Sequence, residues 1–496
     1  MNVAAKIASP SRADPYGHPG FDPISREMCG VDLVVEGELP AELDGVFLRN
    51  GTNALFPARR RHMFDGEAML HMIEFRGGKA RYSNTLVRTP RTRYVEQAGR
   101  NPFLGIAEMT SGGKSALLAL MIERVKVRFG LLPRFTPIEA GNNGTAVLHH
   151  DRSLYCLQET ALPFRLDVAR DDDGWLALNG QGRNETFKGR LACPFSAHPK
   201  SDERTGAVYS IGQDFVSGTT HLSVLEKGGA IHTSTIMQGK PAAFFVHDYI
   251  LTDTHIIFPD TSLRFNPAGL AGPDASVATF DRSHNLRFGM IARDHRDGDP
   301  VRWFETSAPG HIWHIANGWQ ADGAIHIYAP VFADYPATMP IHSPQEPHSR
   351  FVHWRLDLAS GAVSERVLLN HHYERPGIDW RRHGVPSRYA WLLDESGGVM
   401  GKGVLKYDLF DESGAGYLDY GDLLGGEPVF VPRKHGTLED DGWLIDLLAD
   451  GTRAEILVAD AATMTPQCRI VLPQPVPFGV HALWLDRTAT DALITD

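Results

Sequence analysis

Four histidines carry the chemistry this chain could do. His198 lies in ACPFSAHPKSDERTG, His247 in AFFVHDYILTD, His314 in IWHIANGW and His481 in VPFGVHALW. Each sits in or beside an apolar run, where a neutral imidazole is costly unless its nitrogens have partners. The chain holds 23 histidines, so one alone would say little. Four in matching surroundings predict one metal ion held by four strand ends, with the Pro-Lys-Ser-Asp after His198 read as a turn cluster. Imidazole suits iron, zinc, copper and nickel alike, so the donors leave the metal open. The intervals are 49, 67 and 167 residues (247 − 198, 314 − 247, 481 − 314). They are too long for a zinc finger and call for a fold that brings distant segments to one point.

The elements that must do this are short strands. From Val31 onward the chain alternates apolar runs with turn signals almost to its end. IEFRGGKARYSNTLVRT predicts a hairpin around Gly77-Gly78, and HWRLDLASGAVSERVLL another around Ser360-Gly361. GAVYSIGQDF, HIIFPDTSLRF, AIHIYAPVF, GWLIDLLAD and AEILVAD predict further strands. Residues 1–30, dotted with Pro, Gly and Ser, are expected to form an N-terminal arm, and residues 31–496 a single all-β domain. No sequence repeat is visible, so periodicity does not give the architecture.

One stretch breaks the β rhythm. In SALLALMIERVKVRF, residues Leu117, Leu118, Met121, Ile122, Val125 and Phe129 recur at helical spacing. Arg124, Lys126 and Arg128 add positive charge, and Leu131-Leu132 extend the apolar end. Two readings stand side by side: a helix packed over the domain, or a helix whose apolar face meets an anionic bilayer interface through residues 115–132.

Composition narrows the classes. Lys plus Arg number 49 and Asp plus Glu 60, for a net charge of −11, which argues against a nucleic-acid partner needing a concentrated basic surface. Cys29, Cys156, Cys193 and Cys468 have no CxxC spacing and read as reduced thiols, the expectation for a cytoplasmic protein. No signal peptide is expected at the N-terminus, and no run reaches the ~18 apolar residues of a membrane span.

AHPKSDERTG, FFVHDYILTD, WHIANGW and VPFGVH resemble the four histidine motifs of the carotenoid cleavage oxygenases, a family that also includes stilbenoid-cleaving dioxygenases and a retinoid isomerase branch. GELPAELDGVFLRNGTN and RHMFDGEAMLH resemble its N-terminal signatures. They depart at Thr52 and Ala54, where prolines are usual, and at Ala68, which replaces a glycine. The likeness runs from about Gly37 to the C-terminus. It implies an all-β, seven-bladed propeller with a helical and loop cap, inserted at about residues 100–135, over the face carrying the metal. It also implies one ferrous iron per chain, Fe(2+), on His198, His247, His314 and His481, with O2 as co-substrate.

By the same resemblance Glu159, Glu374 and Glu427 accept the far N–H groups of three of those histidines, and His198 is left without a carboxylate. Thr145 would crowd an open metal position with its methyl group, although Gly144 stands where an asparagine is usual. Asn317–Gln320 also departs from the motif beside His314. Glu439 in LEDDGW fits a motif read as a structural turn, and His62 and His71, outside the four motifs, are expected to be structural.

The activity implied is oxidative cleavage of a C=C bond in a lipophilic carotenoid or apocarotenoid to two carbonyl products. The alternative within the family is a stilbenoid or phenylpropenoid substrate; outside it stand a metal-dependent hydrolase and a binding propeller. Stilbenoid-cleaving relatives usually carry a lysine just before the first of the three glutamates, where Gln158 stands here. That favours a polyene. Oligomeric state is left open.

Overall fold

The computed structural model describes residues 17–57, 62–238, 243–265, 267–272, 276–335, 348–398 and 400–493. The first 16 residues of the expected arm lie outside this set. Its described remainder is tied to the sheets: Ile24 exchanges two hydrogen bonds with the Asn53 side chain, at 2.8 and 2.9 Å, and Met28 N donates to Asn84 Oδ1 at 2.9 Å.

Seven antiparallel sheets are the blades of a closed propeller, and a small eighth sheet of Ala243–Phe244, Leu263–Phe265 and Ala278–Phe280 stands outside them. Blade one runs outward from Ala482–Asp486 through Gly45–Asn53, Glu67–Arg76 and Lys79–Leu86 to Met28–Asp32. Blades two to six begin at Ala146–His150, Lys200–Ser201, Ile250–Leu251, Asn317–Ala321 and Tyr373–Gly377, and each continues through three further strands. Blade seven starts from Leu424–Gly425 and Val429–Pro432 and ends on Val34–Gly37.

Both chain ends seal the ring. The C-terminal strand supplies the inner edge of blade one, with Phe47 opposite Trp484, and the N-terminal Val34–Gly37 supplies the outer edge of blade seven, paired with Thr465–Val471. A closed ring leaves no gap through which distant segments could drift apart. The expected hairpins form at Gly77-Gly78, with φ of 57° and 72°, and at Ser360-Gly361, with Gly361 at 78°. Glycine takes these left-handed turn positions without steric cost.

Burial explains why no repeat could be read. Middle strands such as Gly442–Ala449 are buried at every position because blades cover both of their faces. They read as continuous apolar runs rather than alternating ones. Outer strands such as Ser413–Asp419 and Val363–Leu369 are largely exposed, and charged residues such as Glu365, Arg366 and Asp419 blunt these edges. The core lies between blades: Ile257 and Phe288 of blade four pack with Ile325 and Trp354 of blade five, and Trp391 of blade six packs with Leu444 and Leu457 of blade seven.

Three helices, Pro90–Ala98, Ile106–Ser111 and Gly113–Arg128, cover one end of the propeller. Asp65 caps the second by accepting from Ile106 N at 2.5 Å and Ala107 N at 3.2 Å. The third is the helix predicted over 115–129. Packing explains little of its sequence. Ala116 and Leu120 pack with Leu270 and Val277, whereas Leu118, Met121, Val125 and Phe129 are 57%, 59%, 53% and 72% exposed.

Candidate metal centre

Each blade delivers one residue to the axis, at the start of its innermost strand. His481 directly precedes Ala482–Asp486, and Thr145 directly precedes Ala146–His150. His198, His247 and His314 stand two or three residues before the inner strands of blades three, four and five. Glu374 lies within the inner strand of blade six, and Glu427 just before Val429–Pro432 of blade seven. The histidines therefore sit where loops enter strands, not at strand ends as the sequence suggested. Inner strands converge there and the ladder has not yet begun, which leaves room for side chains to meet.

One donor atom from each of the four histidines lies within 4.8 Å of every other. His247 Nε2 and His314 Nε2 are 3.3 Å apart. Behind three of the rings stand the three glutamates. Glu374 Oε2 is 2.5 Å from His314 Nδ1, Glu427 Oε2 is 3.1 Å from His481 Nδ1, and Glu159 Oε1 is 2.9 Å from His247 Nδ1. A carboxylate beside Nδ1 favours the ring proton there, which leaves Nε2 as the nitrogen free to bind a metal. His198 has no carboxylate partner, and its Nε2 is buried without a hydrogen bond among the described residues.

Burial, and then the neighbouring histidines, push His198 and His314 well below the usual imidazole range. Neutral rings are what metal ligation requires. Burial pushes Glu159 up, but His247, a backbone hydrogen bond and His481 together outweigh it, and the carboxyl sits below its ordinary value. Four converging imidazoles, an orphaned buried nitrogen and three carboxylates beside the rings fit a divalent metal ion held by His198, His247, His314 and His481.

Several supporting residues escaped the sequence reading. Glu374 Oε2 also accepts from Arg375 N at 2.7 Å. Arg375 takes φ of 41°, rare for a residue with a side chain, and its buried guanidinium pairs with Glu395 at 2.5 Å. Arg49 Nη2 donates to Pro477 O at 2.6 Å, bracing the segment that carries His481. Lys200 is 4% exposed and lies in the inner strand of blade three, so Pro-Lys-Ser-Asp is not a surface turn. The turn comes at Asp202–Gly206, closed by Gly206 N donating to Asp202 O at 2.7 Å.

Thr145 Oγ1 lies 3.5 Å from Glu159 Oε2. The missing asparagine at Gly144 is offset by other amides. Asn50 Nδ2 donates to Asn143 O and Ala146 O at 2.8 and 3.0 Å, and Asn143 Nδ2 to Cys156 O and Leu162 O at 2.9 and 2.8 Å. Gln158 Oε1 accepts from Asn142 N and Asn143 N at 2.9 and 3.2 Å, while its Nε2 reaches Thr160 Oγ1 at 3.2 Å. Gln158 therefore holds the loop that presents Thr145.

His71 is buried with Nδ1 2.9 Å from Tyr82 Oη, away from the cluster. His62 borders the cavity described next. Glu439 accepts from Ser387 Oγ and Tyr389 N, both at 2.8 Å, bracing a turn.

A cavity of about 230 Å³ opens beside Thr145, Glu159 and His247. Phe64, Phe215, Phe245, Phe265 and Trp313 line it, together with Ile106 and Met109 of the capping helix. Phe215 stacks on Phe245 at 5.7 Å, and Trp313 meets Phe245 edge-on at 5.3 Å. A second cavity, of about 430 Å³, shares the Phe64, Ile106 and Gln158 wall and is rimmed by Arg91, Arg100 and Asn101.

Fold and site together define a seven-bladed propeller with an axial four-histidine centre of metal-binding geometry. The sequence profile of the family described as retinal pigment epithelial membrane protein matches residues 21–486, and the chain belongs to that family, within the carotenoid cleavage oxygenase superfamily. It is 30% identical to the carotenoid 9,10(9',10')-cleavage dioxygenase 1 of Arabidopsis thaliana, over 95% of this chain and 89% of that protein. It is 28% identical to a carotenoid cleavage oxygenase of Mycobacterium tuberculosis, over 96% and 98%.

Among solved structures, the lignostilbene dioxygenase of Pseudomonas brassicacearum matches with a TM-score of 0.81 at 22% identity, covering 96% of this chain and 99% of that one. A Synechocystis apocarotenoid oxygenase variant matches with 0.75 at 21%, covering 94% and 98%. At these identities the two structures speak to the fold.

Proposed function

We propose that the protein is a ferrous-iron dioxygenase that cleaves a C=C bond of a carotenoid or apocarotenoid to two carbonyl products. The observation that carries this reading is a four-imidazole centre one of whose members, His247, lines an aromatic, largely apolar cavity. Bound iron would supply the activation of O2 that adds its two atoms across the double bond. The protein supplies the rest. His198, His247, His314 and His481 hold the metal, and Glu159, Glu374 and Glu427 fix three rings and offset its charge. The aromatic walls exclude water and hold an extended polyene in register. Thr145, held by its amide-braced loop, would narrow access to the metal with its methyl group.

The choice of polyene over phenol rests on residue 158. A phenolate calls for an ammonium, and among the described residues no lysine lines the inner cavity. The Gln158 carbonyl is already engaged by two backbone N–H groups. The sequence relatives, named for carotenoid cleavage, support the same choice. The exposed apolar face of Gly113–Arg128, flanked by Lys114, Arg124, Lys126 and Arg128, supports a reading in which substrate is taken from a membrane. This face would dock at an anionic bilayer surface; no helix among the described residues is long and apolar enough to cross one.

The test is a side-by-side assay of apocarotenals, full-length carotenoids, 4-hydroxystilbenes and isoeugenol under 18O2, with products read by mass spectrometry. Polyene cleavage with label in both carbonyls is expected. Robust cleavage of a hydroxystilbene with no polyene turnover would overturn the reading, and turnover without O2 would point to a hydrolase.

A further inference from the structure

His198 is the one ligand with no carboxylate behind it, yet its segment is not loosely held. Two residues on, Lys200 sends its ammonium to Asp248 Oδ1 at 2.6 Å, and the two side chains are 4% and 5% exposed. Asp248 directly follows His247. Its Oδ1 also accepts from Tyr249 N at 2.8 Å, and its Oδ2 accepts from Ile315 N at 2.8 Å, one residue past His314. One buried carboxylate thus touches the segments bearing three of the four histidines, from blades three, four and five. Next to it, the Tyr249 hydroxyl donates to Tyr209 O at 2.9 Å and accepts from Ile211 N at 3.2 Å, tying blade four to blade three again.

We propose that Asp248 is a positioning residue that locks the His198, His247 and His314 segments in one arrangement and so sets the metal affinity of the site. The proposal rests on the four-histidine reading above. A buried ion pair is a poor source of stability, since removing both charges from water offsets most of their attraction. What this pair provides that an apolar pair could not is directional bonding to three separate segments. Asparagine cannot replace it. It offers one acceptor oxygen where three donors converge, and its amide would face an ammonium or a backbone N–H.

The experiment uses the full chain, stripped of metal, as wild type, Asp248→Asn, Lys200→Met and the double variant. Fe(II) is titrated anaerobically and Co(II) by its visible absorption, and melting of the metal-free proteins is followed by circular dichroism. Asp248→Asn should lose on the order of 10–100-fold in affinity for both ions, as partners behind metal ligands do, with an altered Co(II) spectrum. Lys200→Met frees only the His198 segment and should lose less.

In the double variant no unpaired charge remains, so the melting temperature should recover while the affinity stays low. Wild-type affinity in Asp248→Asn would overturn the proposal, as would joint recovery of affinity and melting in the double variant. Should Asp248→Asn not fold, an unchanged Co(II) affinity and spectrum in Lys200→Met would overturn it equally. A wild type that binds no ion would instead refute the site reading on which the proposal stands.

Discussion

Replacing Glu374 by glutamine separates charge from shape at the metal centre. A single carboxylate oxygen, Oε2, takes both the His314 ring N–H at 2.5 Å and the Arg375 backbone N–H at 2.7 Å. A glutamine amide oxygen can occupy the same point and accept both bonds, so the fold has no reason to change. What disappears is the negative charge. A hydrogen bond to a charged group is worth about 1.5–3 kcal/mol, against about 0.5–1.5 kcal/mol for a neutral one. The difference, about 1–1.5 kcal/mol, is roughly a fivefold to fifteenfold weakening of metal binding.

The metal then faces one fewer of its three balancing anions, which extends the loss toward the ~100-fold upper end seen for such partners. Titration of Fe(II) or Co(II) into metal-free Glu374→Gln measures the affinity, and O2 uptake with a cleaved substrate measures turnover. Glu374→Asp, which keeps the charge but draws it back, should lose geometry instead. Unchanged affinity and turnover in Glu374→Gln, with an unchanged melting temperature, would refute the role assigned to this carboxylate.

The capping helix and the core give two further predictions. Serine at Leu117, Leu118 and Ile122, which are 38%, 57% and 45% exposed, should abolish co-sedimentation with anionic liposomes and leave the melting temperature nearly unchanged; unaltered co-sedimentation would refute the membrane role. Burial pushes Asp446 up to about 7 from an ordinary 3.8, although Tyr420 Oη donates to it at 2.7 Å. The folded state therefore favours the protonated acid. Its stabilising contribution is complete below the unfolded value and is lost as pH rises through about 7. A shift of about 3 units corresponds to at most ~4 kcal/mol. Asp446→Asn should then be more stable than wild type at pH 8, with a flatter stability profile between about pH 4 and 7. Parallel denaturant curves for the two proteins across that range would contradict it.

Much of the site was legible because its principal residues stand at loop-to-strand junctions with distinctive flanks, as in FFVHDYILTD and VPFGVH. The strands were legible from apolar runs between turn signals, and the capping helix from its period. The blade count was not, since two-sided burial erases alternation and the ring is sealed by strands 428 or more residues apart, such as Val34–Gly37 against Thr465–Val471. Lys200 was misread because a charged residue between proline and serine usually marks a surface turn; only the fold shows Asp248 waiting for it. Arg375 and Glu395 pair in three dimensions with no spacing signal to announce them. Gln158 was noticed as a missing lysine, whereas its bonds to Asn142 N and Asn143 N depend on a loop whose path no motif specifies.

The central claim is that four histidines from four blades hold one catalytic metal. Elemental analysis of the purified chain, beside His247→Ala and His481→Ala variants shown to be folded, tests it most directly. The account predicts about one iron per wild-type chain and loss of iron, together with activity, in both variants. Iron retained at the wild-type level in both would contradict it.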